Sequence, residues 1–335
     1  MKKLFAIIAC VAIAVATAFS LSACTDKNAG AIRVYAPDGA PALALAYAMS
    51  VDDKEYFGTD VGFEVVNAST IQTYVTGKSP KADICVLPVN AACNLLGTGE
   101  NYKMLGAVTH GNLFLLKKAG GEDITADNLS ALVGKTVGVV NLANVPGWTF
   151  KVILSRKEVA FKELGNDSTP DSDKVNLKAL SDATAVTPAA DCDYFVVPEP
   201  AATTKSGATT LEIAGSLQTL YGEGGYPQAV VVAKNSLING NSEFIEKFIE
   251  ALTYGGGWLT GGVSMSDIVK TINDNLTDGM TPSLNANNLN AQVIANCAIS
   301  FEASASCKTA VLDYITAIKG VGATAKEPAE AFFLT

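Results

Sequence analysis

Between residues 31 and 96, β-branched runs and helix-forming runs alternate three times, and this alternation restricts the fold more than any other feature. Residues 32–36 (IRVYA) read as a strand, Pro37-Asp38-Gly39-Ala40 as a turn, and residues 41–49 as a helix. Its proline falls in the first turn, where a missing N–H costs nothing. Residues 62–66 form a second strand, Asn67-Ala68-Ser69-Thr70 supply capping side chains, and 71–76 continue as helix. Residues 82–87 are a third strand, followed by Pro88-Val89-Asn90 and a helix through Leu96. Strands alternating with helices predict an α/β fold with a parallel sheet covered on both faces.

Residues 103–117 read as one or two strands broken at Thr109-His110-Gly111-Asn112, with a short helix around 126–132. A second α/β lobe then follows. It has a strand at 135–140, a loop at 141–146, a helix from 147 to about 164 and a polar loop at 166–174. Residues 193–197 form another buried strand that runs into Pro198-Glu199-Pro200, and 211–214 a short one. Tyr226-Pro227-Gln228 leads into a strand at 229–233 that returns the chain. From Ser242 the pattern is mostly helical, over 242–252, 266–276, 286–298 and 304–319, and these helices are expected to pack on the first lobe. The expected organisation is lobe I from 31–110 and 230–335, with lobe II, 111–229, inserted and two crossings acting as a hinge.

The chain has 335 residues, of which 49% are hydrophobic and 17% charged, enough apolar content for two cores. Lys plus Arg total 24 against 33 Asp plus Glu, a formal charge of -9, and Arg33 and Arg156 are the two arginines. Nucleic acid is therefore excluded as an expected partner. Met1-Lys2-Lys3 is a short basic start, and residues 4–19 are uncharged and apolar but short for a membrane span. Leu21-Ser22-Ala23-Cys24 resembles the lipobox of bacterial lipoproteins. That resemblance implies a signal peptide over 1–23, lipid such as palmitate on Cys24, a tether over 24–30, and a chain held at the outer side of the bacterial cell membrane. Cys85, Cys93, Cys192, Cys297 and Cys307 remain, an odd number, so at least one is free. Cys297 and Cys307 are open to pairing, and no cysteine spacing matches a zinc site.

Taken in order, the segments resemble the substrate-binding lipoproteins of ABC importers, of the type 2 periplasmic-binding fold. The likeness is nearest to the group that binds sulfonates, nitrate and thiamine pyrimidines. It is carried by the lipobox, Val34-Tyr35-Ala36-Pro37-Asp38-Gly39, Lys81-Ala82-Asp83-Ile84 before Pro88, and Leu132-Val133-Gly134-Lys135-Thr136-Val137-Gly138. Pro146-Gly147 before Phe150, Val197-Pro198-Glu199-Pro200 and Tyr226-Pro227-Gln228-Ala229-Val230 complete it. Trp148 departs from the pattern, since a small residue is more usual after that Pro-Gly turn. The resemblance implies a monomeric, non-catalytic receptor without cofactor or metal. It would capture a small solute between two lobes and hand it to an ABC permease and its ATPase.

In open α/β sheets ligands sit beyond the carboxyl ends of strands, where helix N-termini present free N–H groups. Four loops meet that description: Asp38-Gly39-Ala40, Asn67 to Thr70 with Ser69, Pro88 to Asn90, and Asn144 to Gly147 with Pro146. Ligand contact and plain helix capping are both open readings for each. Asp38 favours a cationic or amino-bearing ligand, and Glu199 is open to ligand contact, interlobe bonding or a structural role. Thr109 and the sole histidine, His110, fall at the first crossing, as hinge or cleft lining. Trp148 and Tyr226 would stack on a flat ligand or pack between lobes. Acidic Asp38 and Glu199, the aromatics and the scarce arginine tilt the ligand towards a thiamine-type pyrimidine or similar heteroaromatic, with a sulfonate or nitrate as the alternative. A surface adhesion or signalling protein and an enzyme on the same fold are the other readings. Gly77-Lys78-Ser79 and Gly134-Lys135-Thr136 lack the earlier glycine of a phosphate-binding loop.

Overall fold

The computed structural model describes residues 30–165 and 167–335. The expected signal peptide, the lipobox-like run with Cys24 and most of the expected tether lie outside the described residues. Twelve strands form two six-stranded sheets. In chain order they are β1 (Ile32–Pro37), β2 (Val61–Val66), β3 (Ile84–Pro88), β4 (Tyr102–Thr109), β5 (Leu113–Lys117), β6 (Thr136–Val140), β7 (Phe161–Leu164), β8 (Val175–Leu180), β9 (Tyr194–Pro198), β10 (Glu212–Ser216), β11 (Ala229–Lys234) and β12 (Ile299–Ala303). The first sheet runs β12-β4-β11-β3-β1-β2 and the second β10-β5-β9-β6-β8-β7.

Neither sheet is purely parallel. β1, β2 and β3 are parallel to one another, but β11 runs antiparallel to β3 and β4, and β12 antiparallel to β4. The cause is topological, because β4 and β11 lie where the chain leaves for the other sheet and comes back. β11 is buried on both faces (AVVVAK), which explains its unbroken valine run.

Several expected elements are shorter or different. The helix expected over 41–49 is two short pieces, Ala40–Ala44 and Ala46–Ser50, divided at Leu45. That expected over 71–76 is a 3-10 turn, Ile71–Tyr74, with no side-chain cap, because the Asn67 Oδ1 accepts from Ser69 N instead. Residues 147–164 are not one helix. Val145–Arg156 is helical, Glu158 takes a left-handed φ of 56°, and Phe161–Leu164 then becomes the edge strand β7, paired with a β8 that the sequence reading passed over. The expected helix at 286–298 shrinks to Ala291–Asn296, and the supposedly strandless C-terminal region contributes β12.

The helix Ser304–Gly320 does not belong to the first sheet alone. It packs on β4 and on Val145–Arg156 of the other sheet, and the Thr149 Oγ1 and Tyr314 hydroxyl lie 2.9 Å apart. The largest apolar cluster accordingly runs through both halves, from Cys85 and Leu87 to Phe150 and Tyr226. Cys297 and Cys307 are both free and buried, in different clusters, so the open pairing is not made.

Candidate functional site

Two chain segments join the sheets, His110 to Asn112 between β4 and β5, and Gly222 to Gln228 before β11. They touch. Tyr226 N donates to the His110 carbonyl at 3.3 Å, and a Cβ on Gly225 (φ 69°) would stand 2.2 Å from that same oxygen. The strand ends on either side of this contact therefore face one another. On the first sheet these ends carry Asp38, Asn67, Asn90, Thr109 and Gln228, and on the second Asn112, Asn141 and Glu199.

Asp38, Asn90 and Gln228 close three neighbouring strands. β3 lies between β1 and β11, with Ala229 opposite Pro88, and Val89 N donates to the Gln228 carbonyl at 3.0 Å. Each brings an oxygen that is shielded from water and has no hydrogen-bond donor: Asp38 Oδ1, Asn90 Oδ1 and Gln228 Oε1. The other Asp38 oxygen is held by Ser283 N at 2.7 Å, which fixes the carboxylate. A buried acceptor left without a donor costs about 1–3 kcal/mol. Three at one end of one sheet mark a surface built to meet donors.

The floor is a closed network. Glu199, 3% exposed, accepts from Thr203 N (3.0 Å), Thr203 Oγ1 (2.7 Å) and Asn296 Nδ2 (2.7 Å). Asn296 ends a helix joined to β12 of the first sheet, so this bond spans the two halves. Gln218 Nε2 donates to the carbonyls of Gly111 (2.9 Å) and Asn296 (3.0 Å), and Gln228 Nε2 donates to Asn112 Oδ1. Asn112, Asn296, Gln218 and Gln228 were not singled out from the sequence. Gln228 stood inside the quoted Tyr-Pro-Gln run, and an amide flanking a hinge glycine was the available signal for Asn112.

The remaining candidates fall as follows. Gly39 takes a φ of 101° and caps the helix at Ala40, which is buried. Asn67, Ser69 and Thr70 are exposed and bonded among themselves. Thr109 is buried, its hydroxyl accepting from Ala229 N at 3.1 Å. Asn144 starts the helix Val145–Arg156 without a side-chain cap, and Pro146 lies in its first turn. Gly147 is needed for contact, since a Cβ there would lie 1.8 Å from the Leu142 carbonyl.

Both aromatic candidates are engaged by neighbours, Trp148 half-buried and Tyr226 buried. The Trp148 indole donates to the Ala143 carbonyl at 2.9 Å and lies under the Lys151 ammonium, 4.0 Å from its ring centroid. Tyr226 is buried against Tyr221 and Tyr314, ring centroids at 5.3 and 6.1 Å. Its hydroxyl points at the Asn112 and Leu113 amides without closing a bond, and burial pushes its pKa well up. His110 follows Thr109 at the end of β4 and lies on the β12 side of the facing strand ends. Its Nε2 is 3.2 Å from the Ser300 carbonyl and its Nδ1 4.0 Å from Glu302, beside an open cavity of about 500 Å³ lined with Gly224 and residues 298–302. This hollow on the β12 edge carries His110, Ser300 and Glu302, whereas the amides and the other acids lie on the neighbouring strand ends.

No protein-family model matches the chain, and no curated protein does. Solved structures do. An ABC transporter protein from Parabacteroides distasonis superposes with a TM-score of 0.68 at 19% identity, covering 91% of this chain and 99% of that one. The periplasmic aliphatic sulphonate binding protein of Escherichia coli gives 0.62 at 13% identity, covering 91% and 92%. A Candida albicans protein described as having the generic periplasmic binding protein fold gives 0.55 at 14%, covering 90% and 93%. At these identities the likeness is one of architecture, and the architecture is that of the periplasmic binding proteins.

Proposed function

We propose that the protein is an extracytoplasmic solute receptor, held to the membrane by lipid on Cys24, that captures a small molecule between its lobes for an ABC importer. Lobe I is residues 31–110 and 230–335, and lobe II is 111–229. The observation that supports this best is the pair of opposed strand ends meeting over a buried polar floor. A ligand touching both sides binds the closed form better than the open one, and that difference in affinity drives closure about the two crossings. A thiamine-type pyrimidine or other amino-bearing heteroaromatic fits the acidic and amide-rich rim. Tyr226 is buried and Lys151 covers one face of Trp148, so polar contacts take the larger part in selecting it.

A thermal-shift screen against pyrimidines, sulfonates, nitrate, amino acids and vitamins tests the reading. Ligand that binds only the native state raises the midpoint. The expected result is a saturable rise with one chemical class and no product. Product formation points to an enzyme, and no shift in refolded, ligand-free protein points to a surface adhesion or signalling role.

A further inference from the structure

The charged side chains of both sheets are sorted by strand end. On the first sheet Arg33, Lys103 and Lys234 lie at the ends of β1, β4 and β11 away from the facing rim, and Lys81 precedes β3 on that same far side. On the second sheet Lys117 ends β5 at its far end and Lys135 precedes β6. Arg33 stands five residues before Asp38, so it is about 17 Å of extended strand from the rim. The other arginine, Arg156, closes the 12-residue helix whose start faces the rim, about 18 Å away. Lys178, two residues short of the facing end of β8, is the exception, and it pairs with Asp191 at 3.8 Å; among the described residues no strand of the first sheet brings a Lys or Arg to that end. What stands there is Asp38, Glu199 and amides.

We infer that the solute presents N–H donors or a positive charge to lobe I, received by Asp38 Oδ1, Asn90 Oδ1 and Gln228 Oε1, and that anionic solutes are refused at this surface. The inference rests on the receptor reading above and narrows it to a ligand class. An anion brought to this end meets a fixed carboxylate and two carbonyl oxygens with no cation to offset them. A donor satisfies acceptors that are otherwise buried without a partner. The acceptors select for donors and not for rings, so aliphatic ammonium compounds belong to the class as well as aminopyrimidines.

The test is calorimetric titration of the purified chain with 4-aminopyrimidine and ethylammonium, against ethanesulfonate and nitrate. Saturable binding by a donor probe is expected, with none by the anions. Asp38→Asn should weaken donor binding at least tenfold. Asn90→Asp keeps the acceptor and adds charge, so it should hold or strengthen the binding of ethylammonium; both variants are checked for an unchanged fold by circular dichroism. Saturable binding of ethanesulfonate or nitrate, or donor binding indifferent to Asp38→Asn, overturns the inference and leaves the receptor standing. Failure of all four probes and of the wider solute screen removes the receptor reading itself, and the inference with it.

Discussion

Lys151 shows how one side chain can decide what a neighbour is free to do. It is wholly enclosed, its ammonium 2.6 Å from Glu163 and over the Trp148 ring, while Glu163 stays 56% exposed. The indole is thereby held by Lys151 on one face and through its N–H by the Ala143 carbonyl. Because Glu163 remains solvated when its partner is lost, the stem of Lys151 matters more than its charge. Lys151→Met should cost at most about 1.5 kcal/mol and Lys151→Ala roughly 2–5 kcal/mol, read from urea unfolding midpoints. Equal losses would mean that the ion pair, and not the stem, is the stabilising part. Asp38 and Glu199 were legible as strand-end acids because each follows a buried strand directly. The partners that decide their roles, Ser283 and Asn296, lie far along the chain and were not.

The strands of the first half were readable, because buried runs such as ICVLP and AVVVA are bounded by Pro, Asp and Gly. β8 and β12 were not. β8 ends in half-exposed residues and β12 is an edge strand whose ISFEA run buries little, so neither shows a clean apolar signal. The helix Ser304–Gly320 was placed correctly in sequence but not in space, since its Tyr314 side makes its contacts through residues 149, 221 and 226 of the inserted half. That tyrosine group makes a pH prediction. Burial raises Tyr226 and Tyr314 above the ordinary tyrosine value of 10.0, and it raises the Cys93 thiol from 9.0 to about 12 and Cys307 to about 11. The native state thus holds protons that the unfolded chain releases. The stability from these groups is whole below about pH 9 and falls as pH rises further, by up to about 1.4 kcal/mol per pH unit for each group. Unfolding midpoints measured from pH 8 to 11 should drop steadily above pH 9; a flat profile to pH 11 would contradict the burial of these groups.

For the whole molecule, the two crossings and the C-terminal helix both join the halves. At the crossings Gly225 lies against the His110 carbonyl, and Gly222 and Gly224 take φ values of 136° and 78°. The shared apolar cluster and the Thr149–Tyr314 contact tie the halves together beside the crossings, where the Tyr226 and Tyr314 rings stack at 6.1 Å. The order of motifs made the two-sheet architecture legible, but the ligand class was only a tilt. It becomes sharper when the strand ends are sorted by charge, because register, and not sequence position, decides which end a lysine occupies. The most direct test is a crystal structure of the protein with a solute found by titration. The account predicts that solute between the lobes, with a donor within hydrogen-bond distance of Asp38 Oδ1; solute in the hollow beside His110, or an anion seated at Asp38, would contradict it.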